Sequence, residues 1–172
     1  MSNVSESGRV GATYTADIPG TNIFADAPKN SSPAFATKDT VIVCEDNYFT
    51  YDFSASDSDG DSLSYNFCSA YMGGGSNNPQ PNPAAPPPYS PVPYAFGFGA
   101  SSPMGANVIL DTKTGIVSGV APAAGIYVLT VCVSEYRRGV LINIHRKDIQ
   151  IKVASCSIAA AALDPVYMSC DG

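Results

Sequence analysis

The densest chemistry in this chain is acidic: Asp57-Ser-Asp59-Gly-Asp61, with Asp52, Asp46 and Glu45 just upstream. Seven of the fifteen carboxylates fall between Asp39 and Asp61. Carboxylates this close raise one another's pKa unless a positive group sits among them, and a hard, oxygen-seeking cation such as Ca2+ answers that need. Asp57, Asp59 and Asp61 are therefore the candidate metal ligands, and Ca2+ is the one cofactor expected. The alternative is a solvated loop between strands whose carboxylates simply face water. The loop is not an EF-hand, because Cys68 stands where the closing bidentate glutamate would be. A glycosidase needs paired carboxylates about 5–9 Å apart, and one flexible loop without a cleft does not hold such a pair.

Nucleophilic catalysis needs a base beside its nucleophile. The one histidine, His145, lies in Asn143-Ile-His-Arg-Lys-Asp148 among positive neighbours and reads as a surface residue. No Gly-x-Ser-x-Gly elbow precedes a helix. Gly97-Phe-Gly99 is too short for a phosphate or dinucleotide fingerprint. No catalytic residue is expected, and the chain reads as a non-enzyme. Arg137, Arg138, Arg146 and Lys147 bracket one hairpin and are expected to pair with Glu135 or Asp148. Such surface pairs are worth about 0–1 kcal/mol.

The five cysteines, Cys44, Cys68, Cys132, Cys156 and Cys170, lie far apart with no CxxC pair to suggest zinc or redox chemistry. At strand-like positions they read as disulfides of an exported protein, with at least one thiol left over. Buried free thiols in a cytosolic protein are the alternative.

The elements that must carry these groups are strands. The chain has 172 residues, 45% of them apolar and 14% charged, with a net charge of −6. That suffices for one domain with a real core and excludes a disordered chain. The acidic balance argues against nucleic acid as a partner, and no apolar run is long enough to insert in a membrane. Met1–Val10 is polar and shows no secretory signal, so the mature chain is expected to start elsewhere or to be a piece of something larger. Glycine and proline total 29 residues, and short alternating runs dominate over helical spacing. Strands are expected at Val41–Cys44, Tyr48–Phe53, Leu63–Phe67, Val108–Leu110, Ile116–Val117, Tyr127–Val133, Val140–Ile144 and Asp148–Val153. Turns fall at Glu45-Asp46-Asn47, at Asp111–Gly115, where Gly115 supplies positive φ, and at Arg137-Arg138-Gly139. Short strands with such turns predict an all-β, antiparallel β-sandwich.

Gly73–Met104 interrupts the pattern with 9 of the 14 prolines. A loop of this length is functional or disordered. Its Tyr89, Tyr94, Phe96 and Phe98 either face a ligand or partner, or fold back over a sheet as a lid. Ser157–Gly172 reads as a linker. The sequons at Asn3 and Asn30 matter only in a eukaryotic secretory route.

The order of these pieces resembles the Ig-like, PKD/cadherin-like repeat modules of very large Bacteroidetes cell-surface proteins, the gliding-motility-associated adhesin type. The resemblance rests on Asn30-Ser-Ser-Pro-Ala-Phe35, Ala55-Ser-Asp57-Ser-Asp59-Gly-Asp61-Ser-Leu-Ser-Tyr65, Asn82–Pro91, Leu110-Asp-Thr-Lys-Thr-Gly-Ile-Val-Ser-Gly119 and Val131-Cys-Val-Ser-Glu-Tyr-Arg-Arg-Gly-Val140. It implies an Ig-like sandwich over 30–156 with an insertion at 73–104. Residues 1–29 then come from or lead toward a preceding module, and 157–172 form a C-terminal linker. It implies a secreted, extracellular or cell-surface location and a structural or adhesive role without catalysis. The implied partners are neighbouring modules of the same protein and surface glycans or protein. It nominates Asp57, Asp59 and Asp61 for Ca2+, with Asp111 or Glu135 as helpers, and makes Asp39-Thr40-Val41 and Asp61-Ser62-Leu63 either O-glycan acceptors or ordinary turn residues. In an Ig-like order the strands carrying Cys68 and Cys132 are neighbours and both thiols face outward, so Cys68–Cys132 is the first pairing expected. Cys44 and Cys156, closing an early edge strand and the last strand, make the second. Cys170 is left over. The alternatives to a spacer or adhesin are a carbohydrate-binding module, although the chain has no Trp, and a self-assembling subunit of an extracellular fibre.

Overall fold

The computed structural model describes residues 1–36, 40–75 and 77–156. The protein is all-β. Its strands run β1 (Ala12–Thr13), β2 (Ala34–Phe35), β3 (Thr40–Cys44), β4 (Tyr48–Asp52), β5 (Ala55–Ser56) and β6 (Ser62–Phe67). They continue as β7 (Tyr71–Met72), β8 (Val108–Leu110), β9 (Ile116–Val120), β10 (Gly125–Arg137) and β11 (Val140–Ala154). A single 3-10 turn, Ala27–Lys29, is the one helical piece among the described residues.

Two sheets form the body, one of four strands in the order β3-β11-β10-β6 and one of three in the order β4-β9-β8. Alternation explains which side of each is buried. Along β10, Tyr127, Leu129, Val131 and Val133 point inward and are at most 3% exposed, as the period of two requires. They meet Ile149, Ile151 and Val153 of β11 and Phe49, Val108 and Val117 of the three-stranded sheet in one contiguous core. Each fully buried aliphatic or aromatic side chain contributes about 1.5–3 kcal/mol. Two layers around one core are consistent with a β-sandwich.

One expectation needs correction. The sheets are not purely antiparallel, because β3 runs parallel to β11, with Val41 opposite Ile151 and Val43 opposite Val153. A second difference lies in β11, which is one strand of 15 residues rather than two. The polar stretch His145-Arg146-Lys147 does not break it, because its side chains find partners on both faces. Lys147 lies over the Phe35 ring and Arg146 over the Tyr71 ring, so their apolar stems pack while their charges are served. The β10–β11 turn is Arg138-Gly139, both with positive φ (52° and 79°). Two such residues make the hairpin turn whose twist matches the flanking strands.

Glycine is required at position 119. A Cβ there would stand 2.0 Å from the Asn107 carbonyl oxygen, where β8 and β9 pair Val108 with Gly119.

A further layer covers the outer face of the four-stranded sheet. The β6–β10 ladder spans Val131–Tyr136 of β10; beyond it the β10 edge is served by other groups. The Cys68 N–H donates to the Thr130 carbonyl (3.0 Å) and the Ser2 N–H to the Ile126 carbonyl (2.7 Å). Between them the Asn3 side chain, fully buried, donates to the Val128 carbonyl (2.7 Å) and accepts from the Val128 N–H (3.0 Å). Val4, Ala70 and Val92 then form a small second core with Val128. The N-terminal residues and the proline-rich loop therefore pack together as a roof.

Candidate functional site

The acidic loop is shaped by its first carboxylate. Asp57 Oδ1 accepts from the backbone N–H groups of Asp59 (2.9 Å) and Asp61 (3.0 Å), and Gly60 takes the positive φ (79°) that the tight return needs. The loop thereby gathers one oxygen each from Asp57, Asp59 and Asp61 within 4.8 Å of one another. Ser31 caps it from outside, its N–H donating to Asp59 Oδ2 (2.7 Å).

The positive group among these acids is Arg137, at the end of β10. Its Nε donates to Asp61 Oδ1 (2.9 Å) and its Nη2 to Asp61 Oδ2 (2.6 Å) and to Asn30 Oδ1 (2.6 Å). Asp59 and Asp26 lie 3.6 and 3.5 Å from the guanidinium. The Arg137 hydrogen bond holds the Asp61 carboxyl below the ordinary aspartate value, against the opposing effect of burial. The Arg137 pKa is raised in turn. One oxygen is left out: Asp57 Oδ2 is buried and has no hydrogen-bond partner among the described residues.

Behind the loop stands Glu135, fully buried in β10. Its Oε1 accepts from Asn30 Nδ2 (2.6 Å) and its Oε2 lies 2.7 Å from His145 Nε2. Burial raises its pKa, and the hydrogen bonds from His145 and Asn30 partly offset that. Asp57, Asp59 and Asp61 thus sit in a cluster with Asn30, Glu135 and Arg137. The expected pairing of the basic hairpin with Glu135 or Asp148 is replaced at Arg137 by Asp61, and Glu135 takes His145 instead. The pairing follows from register: with Glu135 opposite Leu63 and Tyr136 opposite Ser62, the next residue along, Arg137, meets Asp61.

The loop aromatics separate. Tyr89 packs against Tyr71 with ring centres 5.6 Å apart, and Phe98 against Tyr127 at 5.7 Å. The Tyr94 hydroxyl accepts from the Ala70 N–H (3.3 Å). Phe96 alone of the four is fully exposed. Asp111 is engaged locally, accepting from the N–H groups of Lys113 (2.9 Å) and Thr114 (2.8 Å), and forms no part of the acidic cluster.

Disulfides join Cys44 to Cys156 (Cα–Cα 5.4 Å) and Cys68 to Cys132 (5.9 Å). Two such bonds indicate an oxidising, extracellular environment. Cys170, the linker expected over 157–172 and Asp39 lie outside the described residues. Among the described residues no helix is long and apolar enough to cross a membrane.

No family model matches the chain, and no curated protein does. Among solved structures, the chain is similar to a "putative alpha-galactosidase" of Bacteroides fragilis at 16% identity and a TM-score of 0.38. A "putative alpha-galactosidase/melibiase" of the same organism gives 11% and 0.38. In both, 71% of this chain and 17% of the other are covered. A nucleoside hydrolase-related protein of Saccharophagus degradans, associated with carbohydrate metabolism, gives 14% and 0.42 over 73% of this chain and 26% of its own. The chain spans about a sixth to a quarter of the length of these proteins, and a likeness at this level carries no argument about activity.

Proposed function

We propose that this chain is a non-catalytic structural and adhesive module of an extracellular cell-surface protein, an Ig-like (PKD/cadherin-like) repeat of the gliding-motility-associated adhesin type. Its partners in this reading are neighbouring modules at its two ends and a surface glycan or protein that meets the exposed Phe96. The observation that carries the reading is the Cys44–Cys156 bond, which spans 112 residues and ties the edge strand β3 to the last strand β11. Once the contacts of the segment before Cys44 have parted, a pull transmitted through the chain on either side would pass across sulfur, and the enclosed loop could not lengthen. That is the property a spacer between modules needs and one a solution enzyme does not. Pulling the oxidised and reduced protein by its ends tests it: the enclosed body must stay shut until the bond is reduced.

Calcium is the second part of the reading, and the buried, unpartnered Asp57 Oδ2 favours it. The oxygen set fits a hard cation: Asp57, Asp59 and Asp61 would hold it, and Arg137 already neutralises part of the charge. Calcium at ten times its Kd would then stabilise the fold by about 1.4 kcal/mol. Melting with calcium and with chelator, in the natural protein and in Asp57→Asn, decides the matter; identical curves would remove the metal.

A further inference from the structure

Beneath the roof lies a cleft of about 500 Å3, at the outer face of the four-stranded sheet. Its walls include Val4, Ala70 and Val92, the buried residues of the second core, and the partly buried Val128 packed against them. Its rim includes Tyr14 and Ile42, 77% and 64% exposed, so the space opens to solvent. Volumes of about 300–1,000 Å3 are those that enclose small organic ligands.

Among the described residues the cleft has one acidic residue, Asp148, projecting from β11 on the outer face opposite Thr130. Asp148 makes no ion pair within 4.0 Å among the described residues. The nearest cation on the same face of β11, Arg146, is engaged elsewhere: its Nη1 donates to the Ser69 carbonyl (2.6 Å) and its guanidinium stacks 3.9 Å above the Tyr71 ring. Burial pushes the Asp148 pKa up, and the Thr130 hydroxyl and the Arg146 charge only partly offset it. Two cations also line the cleft: Lys152, which is solvent-exposed, and the Met1 ammonium, which donates to Ser7 Oγ (2.6 Å).

A half-buried carboxylate with no ion pair within 4.0 Å among the described residues, at the side of an apolar space, is matched by a group that is positive at one end and apolar over the rest. A charge-assisted N–H···O bond is roughly twice as strong as a neutral one, and the apolar body gains by leaving water. We infer that the cleft is a binding site for a small organic ammonium, an alkyl- or arylamine whose cationic head meets Asp148 and whose body lies against Val4, Val92 and Val128. The site shares no residue with the acidic loop or with the Cys44–Cys156 bond, so it stands or falls separately from the spacer reading.

Three probes of matched shape test it by calorimetric titration of the full chain: phenylbutylamine, phenylbutanol and phenylbutyrate. The amine is expected to bind at least about tenfold tighter than the alcohol, and the carboxylate weakest of the three, a factor of ten being the reading of 1.4 kcal/mol. Asp148→Asn should reduce the amine to the affinity of the alcohol. Ile126→Trp, at a rim position 43% exposed, should weaken both together without touching the core. Equal affinity for amine and alcohol in the natural protein overturns the inference. So does an Asp148→Asn variant that keeps the preference, or an amine that does not bind at all. If Asp148→Asn fails to fold, the ranking of probes on the natural protein and the Ile126→Trp result decide the question alone.

Discussion

The two disulfides are nested, and nesting makes a quantitative prediction for a chain pulled from its ends. Cys68–Cys132 spans 64 residues and lies wholly inside the loop closed by Cys44–Cys156, which spans 112. While the outer bond holds, neither the inner loop nor the core strands β4 to β10 can lengthen. An extended residue adds about 3.3–3.6 Å. Replacing Cys44 and Cys156 by serine keeps the inner bond and exposes only the 48 residues (112 less 64) outside it, an added release of about 160–170 Å. Reducing both bonds adds about 370–400 Å. Single-molecule extension of oxidised, Cys44→Ser/Cys156→Ser and fully reduced protein should therefore show three separate steps, the first without either increment. Oxidised protein that already releases the full length would mean that the load does not pass across Cys44–Cys156, and the spacer argument would fail with it.

Further predictions concern single side chains. The Asp61 carboxyl is held below its ordinary value by Arg137, so its stabilising effect is complete above about pH 4 and fades as pH falls through the lowered value. Asp61→Asn should flatten that acid limb of the melting curve, and an unchanged limb would show that Arg137 does not act through Asp61. Gly119→Ala must push a methyl group against the Asn107 carbonyl and should cost about 1–3 kcal/mol, read as a lower denaturation midpoint; an unchanged midpoint would refute the close contact. Asn3→Ala removes the partner of the Val128 N–H and carbonyl. It should cost about 1–3 kcal/mol and speed hydrogen exchange at Val128, whereas exchange at Leu129 in the core should hardly change.

Much of the body is legible because period-two alternation is a local signal. Tyr127 to Val133 declares its buried face, and Arg138-Gly139 and Gly115 declare their turns. What escapes is set by long-range pairing. Nothing in Thr40–Cys44 itself says that it lies parallel to Gln150–Ala154, since either direction buries the same alternate residues. The partner of Arg137 depends on the β6–β10 register, because a shift of one residue would turn Asp61 to the other face. The acidic residues of the cluster were visible as a run, whereas Asn30 joins it from a distant segment with no periodic signature. The roof escapes for a different reason. Its hold on the sheet is backbone-to-backbone, through one amide and through the scattered Val4, Ala70 and Val92, and none of these leaves a periodic pattern to read.

That amide has a consequence for how the molecule breathes. A primary carboxamide carries the same donor and acceptor as a peptide group, and Asn3 presents both to Val128 where a neighbouring strand would otherwise stand. The roof is thus fastened by a counterfeit peptide bond on a swinging stem rather than by a continuous ladder, with a third contact from Asn3 Nδ2 to the Pro103 carbonyl (2.8 Å). Release of that one side chain removes both bonds to Val128 at once and leaves the Ser2 N–H on the Ile126 carbonyl, the Val4–Tyr94 bridge and the packing of Val4 to hold the amino-terminal stretch. Order at the start of the chain therefore bears directly on the walls of the space above the sheet, a few residues along β10 from the Cys68–Cys132 bridge.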